Sequence, residues 1–127
     1  MADLSYPVAA ALTLGVELPV YVVVLTRWGG ASAARAAAIG VVVNVASHPT
    51  LWFVLVPGVR ALTGSHEIAV AVAETVVWWG EGVAAGLLLP RRDPDEHLGP
   101  VRLRTGVVAS FLANATSFAL GLILTAS

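Results

Sequence analysis

The chain has no cysteine. Disulfides, thiolate metal sites and cysteine nucleophiles are therefore excluded. Charge is scarce as well: 12% of the 127 residues are Asp, Glu, Lys or Arg, against about 25% in an ordinary soluble domain. A soluble protein of this size needs a polar exterior, and there are too few charges to build one. The net charge is −1, so there is no basic footprint for nucleic acid. No Lys or Arg precedes the first apolar stretch, where Asp3 stands instead. The basic n-region of a cleavable signal peptide is thus missing, and that stretch is expected to stay as a membrane span.

What is abundant is apolar surface: 57% of the residues, with a mean hydropathy of +0.84. A spanning helix takes about 20 mostly apolar residues. Four stretches meet that length, at about 6–26, 31–56, 68–89 and 103–126. The connections at 27–30, 57–67 and 90–100 are short, which favours antiparallel neighbours. The sequence therefore predicts an all-α integral membrane protein, an up-down bundle of four transmembrane helices in a single domain over 1–127. The third connection holds the one dense charge cluster, Arg91, Arg92, Asp93, Asp95 and Glu96.

Arginine placement sets the expected orientation. Arg27, Arg35, Arg91, Arg92, Arg102 and Arg104 flank the first and third connections, and the second holds Arg60. Positive connections stay in the cytoplasm, so a multi-pass protein of the cell membrane is expected, with both termini outside. Tyr6, Trp28 and Trp52 lie near predicted helix ends, where aromatic rings anchor in the interface.

The third span carries Glu74 and Glu81, with Trp78 between them on one face. A carboxylate inside a spanning helix costs about 2.5 kcal/mol or more, and such residues usually face the interior and mark function. The first span carries Thr13, Glu17 and Tyr21 at four-residue steps, beside Pro19. The second repeats the stripe as Gly40, Asn44, His48 and Trp52, with Ser47 adjacent and Pro49 next in line. The fourth carries Ser110, Asn114 and Ser117, continued by Gly121. Four-residue spacing puts each set on one helix face. At about 1.5 Å of rise per residue, all four stripes reach one central band. Glu74 and His48 come out at similar depth, with Glu81 one layer deeper beside Asn44 and Asn114.

The candidate site is therefore Glu17, Asn44, His48, Glu74, Glu81 and Asn114, supported by Tyr21, Ser47, Trp52, Trp78 and Ser117. Chains of acids and histidine serve as proton relays in transporters, so binding or transport of a cation, a proton or a proton-coupled solute leads. A divalent metal on Glu17, His48 and Glu74 is a candidate cofactor, since carboxylate and imidazole suit such ions. The di-iron Glu-x-x-His pattern and the His-Glu-x-x-His pattern are both missing. An intramembrane enzyme, with His48 as base or a metal activating water, is one rival reading. A structural or accessory subunit of a membrane complex is the other. Two further expectations rest on short patterns. Asn44 to Ser47 and Asn114 to Ser117 match in type, which suggests two like hairpins running the same way, a transporter arrangement. Gly82, Ala85 and Gly86, and the ridge Ala109, Ala113, Ser117, Gly121, offer small-residue surface for interior packing or for a homo-oligomer. Membrane lipid is the other expected partner.

Overall fold

The computed structural model describes residues 5–91 and 100–126. Among them every regular element is helical and no strand occurs. Helix α1 runs Tyr6–Arg27, α2 Ala33–Thr50, α3 Val56–Thr63, α4 His66–Leu88 and α5 Pro100–Ala126, with a wider turn at Leu51–Leu55 joining α2 to α3. Four helices are long and apolar enough to cross a membrane: Tyr6–Arg27, Ala33–Thr63, His66–Leu88 and Val101–Ile123. At most 33% of any of their apolar windows is buried within the chain. Val23, Val42, Phe53, Trp79, Leu87 and Leu122 point outward, so the outside is as apolar as the core.

The second long helix departs from the expected boundary at residue 56. It continues to Thr63, and only Gly64 and Ser65 connect it to α4. By residue type Pro57 marks the expected break. The chain absorbs that proline by widening: the Val56 N–H bonds to the Leu51 carbonyl five residues back, a π-type turn. Pro57 then falls in the first turn of α3, where a missing N–H is tolerated. The helix stops instead at Gly64, whose φ of 71° is a left-handed cap that glycine adopts without steric penalty. Ser65 then caps α4 by accepting from the Ile68 N–H at 3.3 Å, and Ser32 caps α2 by accepting from Arg35 at 3.2 Å.

Helix α1 packs on α2 and α5, and α4 packs on the same two, closing a ring of four long helices. The tightest seam joins α4 to α5. A Cβ on Gly82 would lie 2.7 Å from the Val107 Cα, and one on Gly86 would lie 2.9 Å from the Arg102 carbonyl oxygen. Gly106 faces both glycines with no room for a side chain. Ala109 and Ala113 are fully buried. Most of the small-residue surface available for subunit contacts is thus taken up within the chain.

At one end, the C-termini of α1 and α4 meet the N-termini of α2 and α5. The last turn of α4 has no basic residue of its own. Arg35 from α2 donates to the Leu88 carbonyl at 3.1 and 3.3 Å. Arg102 from α5 donates to the carbonyls of Leu87, at 3.1 Å, and Leu89. Two guanidinium groups therefore satisfy carbonyls that a helix end leaves open, and their charge suits the negative end of the dipole. Of the charge cluster in the third connection only Arg91 is described; Arg92, Asp93, Asp95, Glu96 and His97 lie outside the described residues.

Candidate functional site

Away from the arginine end lies a cavity of about 160 Å³. Its wall includes all six residues chosen from the sequence: Glu17 from α1, Asn44 and His48 from α2, Glu74 and Glu81 from α4, and Asn114 from α5. Ser47, Trp52 and Ser117 line it too. Tyr21 reaches the edge through its hydroxyl, while Trp78 lines a groove on the outer side of α4 and α5 instead. The apolar part of the wall is Ala9, Leu51, Val77 and Phe118.

Glu81 is the most heavily bonded of the described acids. It is 4% exposed, and burying a carboxylate is tolerable only with compensating donors. One oxygen accepts from the Asn114 amide at 2.8 Å, the Tyr21 hydroxyl at 3.2 Å and the Ser110 hydroxyl at 3.3 Å. The other accepts from Ser47. The donors come from α1, α2 and α5, so this carboxylate touches every other long helix. Ser110 appeared in the sequence only as part of a polar face. Its spacing of four from Asn114 was the available signal.

Glu17 accepts one hydrogen bond among the described residues, with the Asn44 amide nearby. It is 1% exposed, and one oxygen accepts from Ser117 at 2.6 Å. The other is buried without a hydrogen-bond partner among the described residues. The Nδ1 of His48 is in the same state. The His48 ring lies 5.6 Å from that of Tyr6. Glu74 is half-buried and has no described hydrogen bond. It shares the cavity wall with His48, but no described bond joins them. Asn44 donates to the Gly40 carbonyl at 3.0 Å within its own helix.

The two matching Asn-x-x-Ser segments behave alike. Ser47 donates to Glu81 of the other hairpin, and Ser117 donates to Glu17 of the other hairpin. Each serine also lies near the carbonyl of its own asparagine, at 3.4 and 3.1 Å. The exchange is reciprocal between α1–α2 and α4–α5.

Glu17, His48 and Glu74 do not form a metal-holding group in this structure. Among the described residues no three His, Asp or Glu side chains are gathered closely enough for that. Neither Ser47 nor Ser117 is bonded to an imidazole; both face carboxylates. Compared with known families, curated proteins and solved structures, the chain matches none.

Proposed function

We propose that this chain is a multi-pass integral membrane protein, an up-down bundle of four spanning helices whose cavity binds and moves a cation or proton. One observation carries the reading. The cavity is lined by Glu17 and His48, each with a buried polar atom that has no hydrogen-bond partner among the described residues. Buried polar atoms are almost always bonded, and an exception usually marks a ligand, water or ion. Intramembrane acids and histidines serve such pathways elsewhere. Glu81, whose two oxygens already accept hydrogen bonds, holds the helices; Glu17, His48 and Glu74 are the groups left to meet a ligand.

The arginine end is proposed to face the cytoplasm. The cavity then sits in the outer half, and the first residues of α1 and the last of α5 lie outside. The chain has no cysteine, so single labels report without background. Leu62→Cys is expected to react with an impermeant maleimide added outside, and Ala33→Cys only after the membrane is opened. The reverse pattern overturns the orientation.

Function is tested in proteoliposomes loaded with a pH-sensitive dye. Gradients of sodium, potassium and methylammonium are imposed in turn. Proton movement against at least one gradient, abolished by Glu17→Gln, supports the proposal. No proton movement with any of them, together with no cation binding by calorimetry, overturns it.

A further inference from the structure

The seam between α4 and α5 is tight at Gly82, Gly86 and Gly106 and opens toward the other end. The opening is a groove of about 750 Å³ on the outer side of the two helices. Its body is apolar and aromatic: Val70, Ala71, Trp78, Phe111, Ala115 and Phe118. Trp78 and Phe111 lie with ring centroids 4.6 Å apart. The Trp78 indole N–H already points at the Val107 carbonyl, at 3.4 Å, so what the ring offers a ligand is its surface. Glu74 and Asn114 belong to the walls of both the groove and the central cavity. One carboxylate therefore stands where an apolar groove meets a polar chamber.

We infer that the groove is the side entrance to the cavity for a hydrophobic organic cation, an ammonium-type group on an apolar body, that Glu74 receives. This rests on the cation-binding reading of the same cavity and names its substrate class. Three features support the inference. The first is charge: among the described residues no Lys or Arg lines groove or cavity, while Glu17, Glu67, Glu74 and Glu81 do, beside His48 in the cavity and His66 in the groove. A cation gains from those acids, whereas an anion meets four acids against two histidines. The second is the wall. Aromatic faces attract cations through their quadrupole and accept apolar bodies equally well. The groove's volume also falls in the range of about 300–1,000 Å³ typical of small-molecule sites. The third is the contrast with the other hairpin. The groove beside α1 and α2 is about 220 Å³ and meets the cavity at Asn44 and His48, with no acid in its wall. A third groove, about 310 Å³ between α2 and α4, meets the cavity at Ser47, Val77 and Glu81, but that carboxylate already accepts at both oxygens. Of the three grooves, the one at Glu74 therefore brings an acid with no described hydrogen bond.

The test uses the full chain in nanodiscs of phosphatidylcholine, with empty nanodiscs subtracted. Tetramethyl-, butyltrimethyl- and octyltrimethylammonium are titrated by calorimetry, with octanoate as the anionic control. Affinity is expected to rise at least tenfold from the tetramethyl to the octyl ion, and octanoate is expected not to bind. Glu74→Gln breaks no described hydrogen bond and should lower octyl binding at least tenfold. Ala115→Trp fills the groove and should lower the octyl-to-tetramethyl ratio, keeping the test open if Glu74→Gln fails to fold. Equal affinity along the series, equal binding of octanoate, or octyl binding untouched by both variants overturns the inference. So does a lipid that co-purifies in the groove and is not displaced by the octyl ion. The two readings separate. If tetramethylammonium binds and releases protons but chain length makes no difference, the entrance fails and the cavity reading stands. If octyl binding depends on Glu74 with no proton release, the entrance stands and proton coupling fails.

Discussion

Asn114 donates to Glu81 over 2.8 Å, at the point where Tyr21 and Ser47 reach the same carboxylate. One side chain thereby ties α4 to the other three long helices. Hydrogen bonds between membrane helices average only about 0.6 kcal/mol each. Removing one donor is thus cheap, whereas removing the shared acceptor leaves Tyr21 without a described partner and makes Ser110, Asn114 and Ser47 fall back on the carbonyls of Trp78, Ser110 and Asn44. Tyr21→Phe is expected to cost about 0.5–1 kcal/mol and Glu81→Leu about 2–4 kcal/mol of unfolding free energy. Denaturant titration in mixed micelles checks both. Equal costs would mean that Glu81 is one contact among many.

The glycine seam gives a second contrast. A Cβ on Gly106 would lie 2.9 Å from the Gly86 Cα. Backbone cannot swing aside as a side chain can, so α4 and α5 must part. Gly106→Ala is expected to destabilise by about 1–3 kcal/mol, the usual range for overpacking. A Cβ on Gly80 meets nothing within 4 Å. Gly80→Ala should therefore be neutral, or gain up to about 1 kcal/mol from helix propensity. Thermal unfolding of the pair, measured side by side, decides the matter.

The end of α4 depends on arginines from elsewhere. Arg102 is 8% exposed, and its bonds to the Leu87 and Leu89 carbonyls are shielded from water. Arg35 is exposed, and water competes for its bond to Leu88. Hydrogen bonds to charged groups are worth about 1.5–3 kcal/mol when buried. Arg102→Met should cost that much and speed amide exchange in the last turn of α4. Arg35→Met should cost under about 1 kcal/mol, since exposed charges contribute little. Exchange rates that respond equally to the two would contradict this ranking.

The apolar lengths were legible in the sequence because they are set by counting. The true end of the second long helix was not. Pro57 reads as a break, and whether a helix absorbs a proline depends on the hydrogen-bond phase around Leu51 and Val56 rather than on residue type. The polar stripes were legible for the same reason as the lengths: four-residue spacing fixes a face. Depth also placed Glu81 beside Asn114 correctly. It could not show whether Glu74 bonds to His48, because rise along an axis says nothing about the rotation of α2 against α4. The reach of Arg102 to the end of α4 had no sequence signal beyond its charge. The Asn-x-x-Ser repeat was visible, but the crosswise donation of its serines requires the ring order of the helices.

Glu17 and Glu81 should respond oppositely to the same substitution. Glu17 is held through one oxygen by Ser117, and its other oxygen has no partner among the described residues. Glutamine there can still accept from Ser117 through its carbonyl while turning its amide toward the cavity. Glu17→Gln is therefore expected to change stability by less than about 1 kcal/mol, the worth of a single such bond. Cation-driven proton movement should nevertheless fall at least tenfold, because the amide carries no titrating proton. At Glu81 both oxygens already accept. Glutamine there turns its NH₂ group either toward the Asn114 amide, a donor, or toward Ser47, whose hydroxyl must stop donating and accept instead, so Glu81→Gln should destabilise by about 1–3 kcal/mol. Dye-loaded proteoliposomes and denaturant titration on both variants read the two effects separately. Should Glu17→Gln keep full proton movement, or Glu81→Gln fold as stably as the parent, the division between a holding and a working carboxylate is wrong.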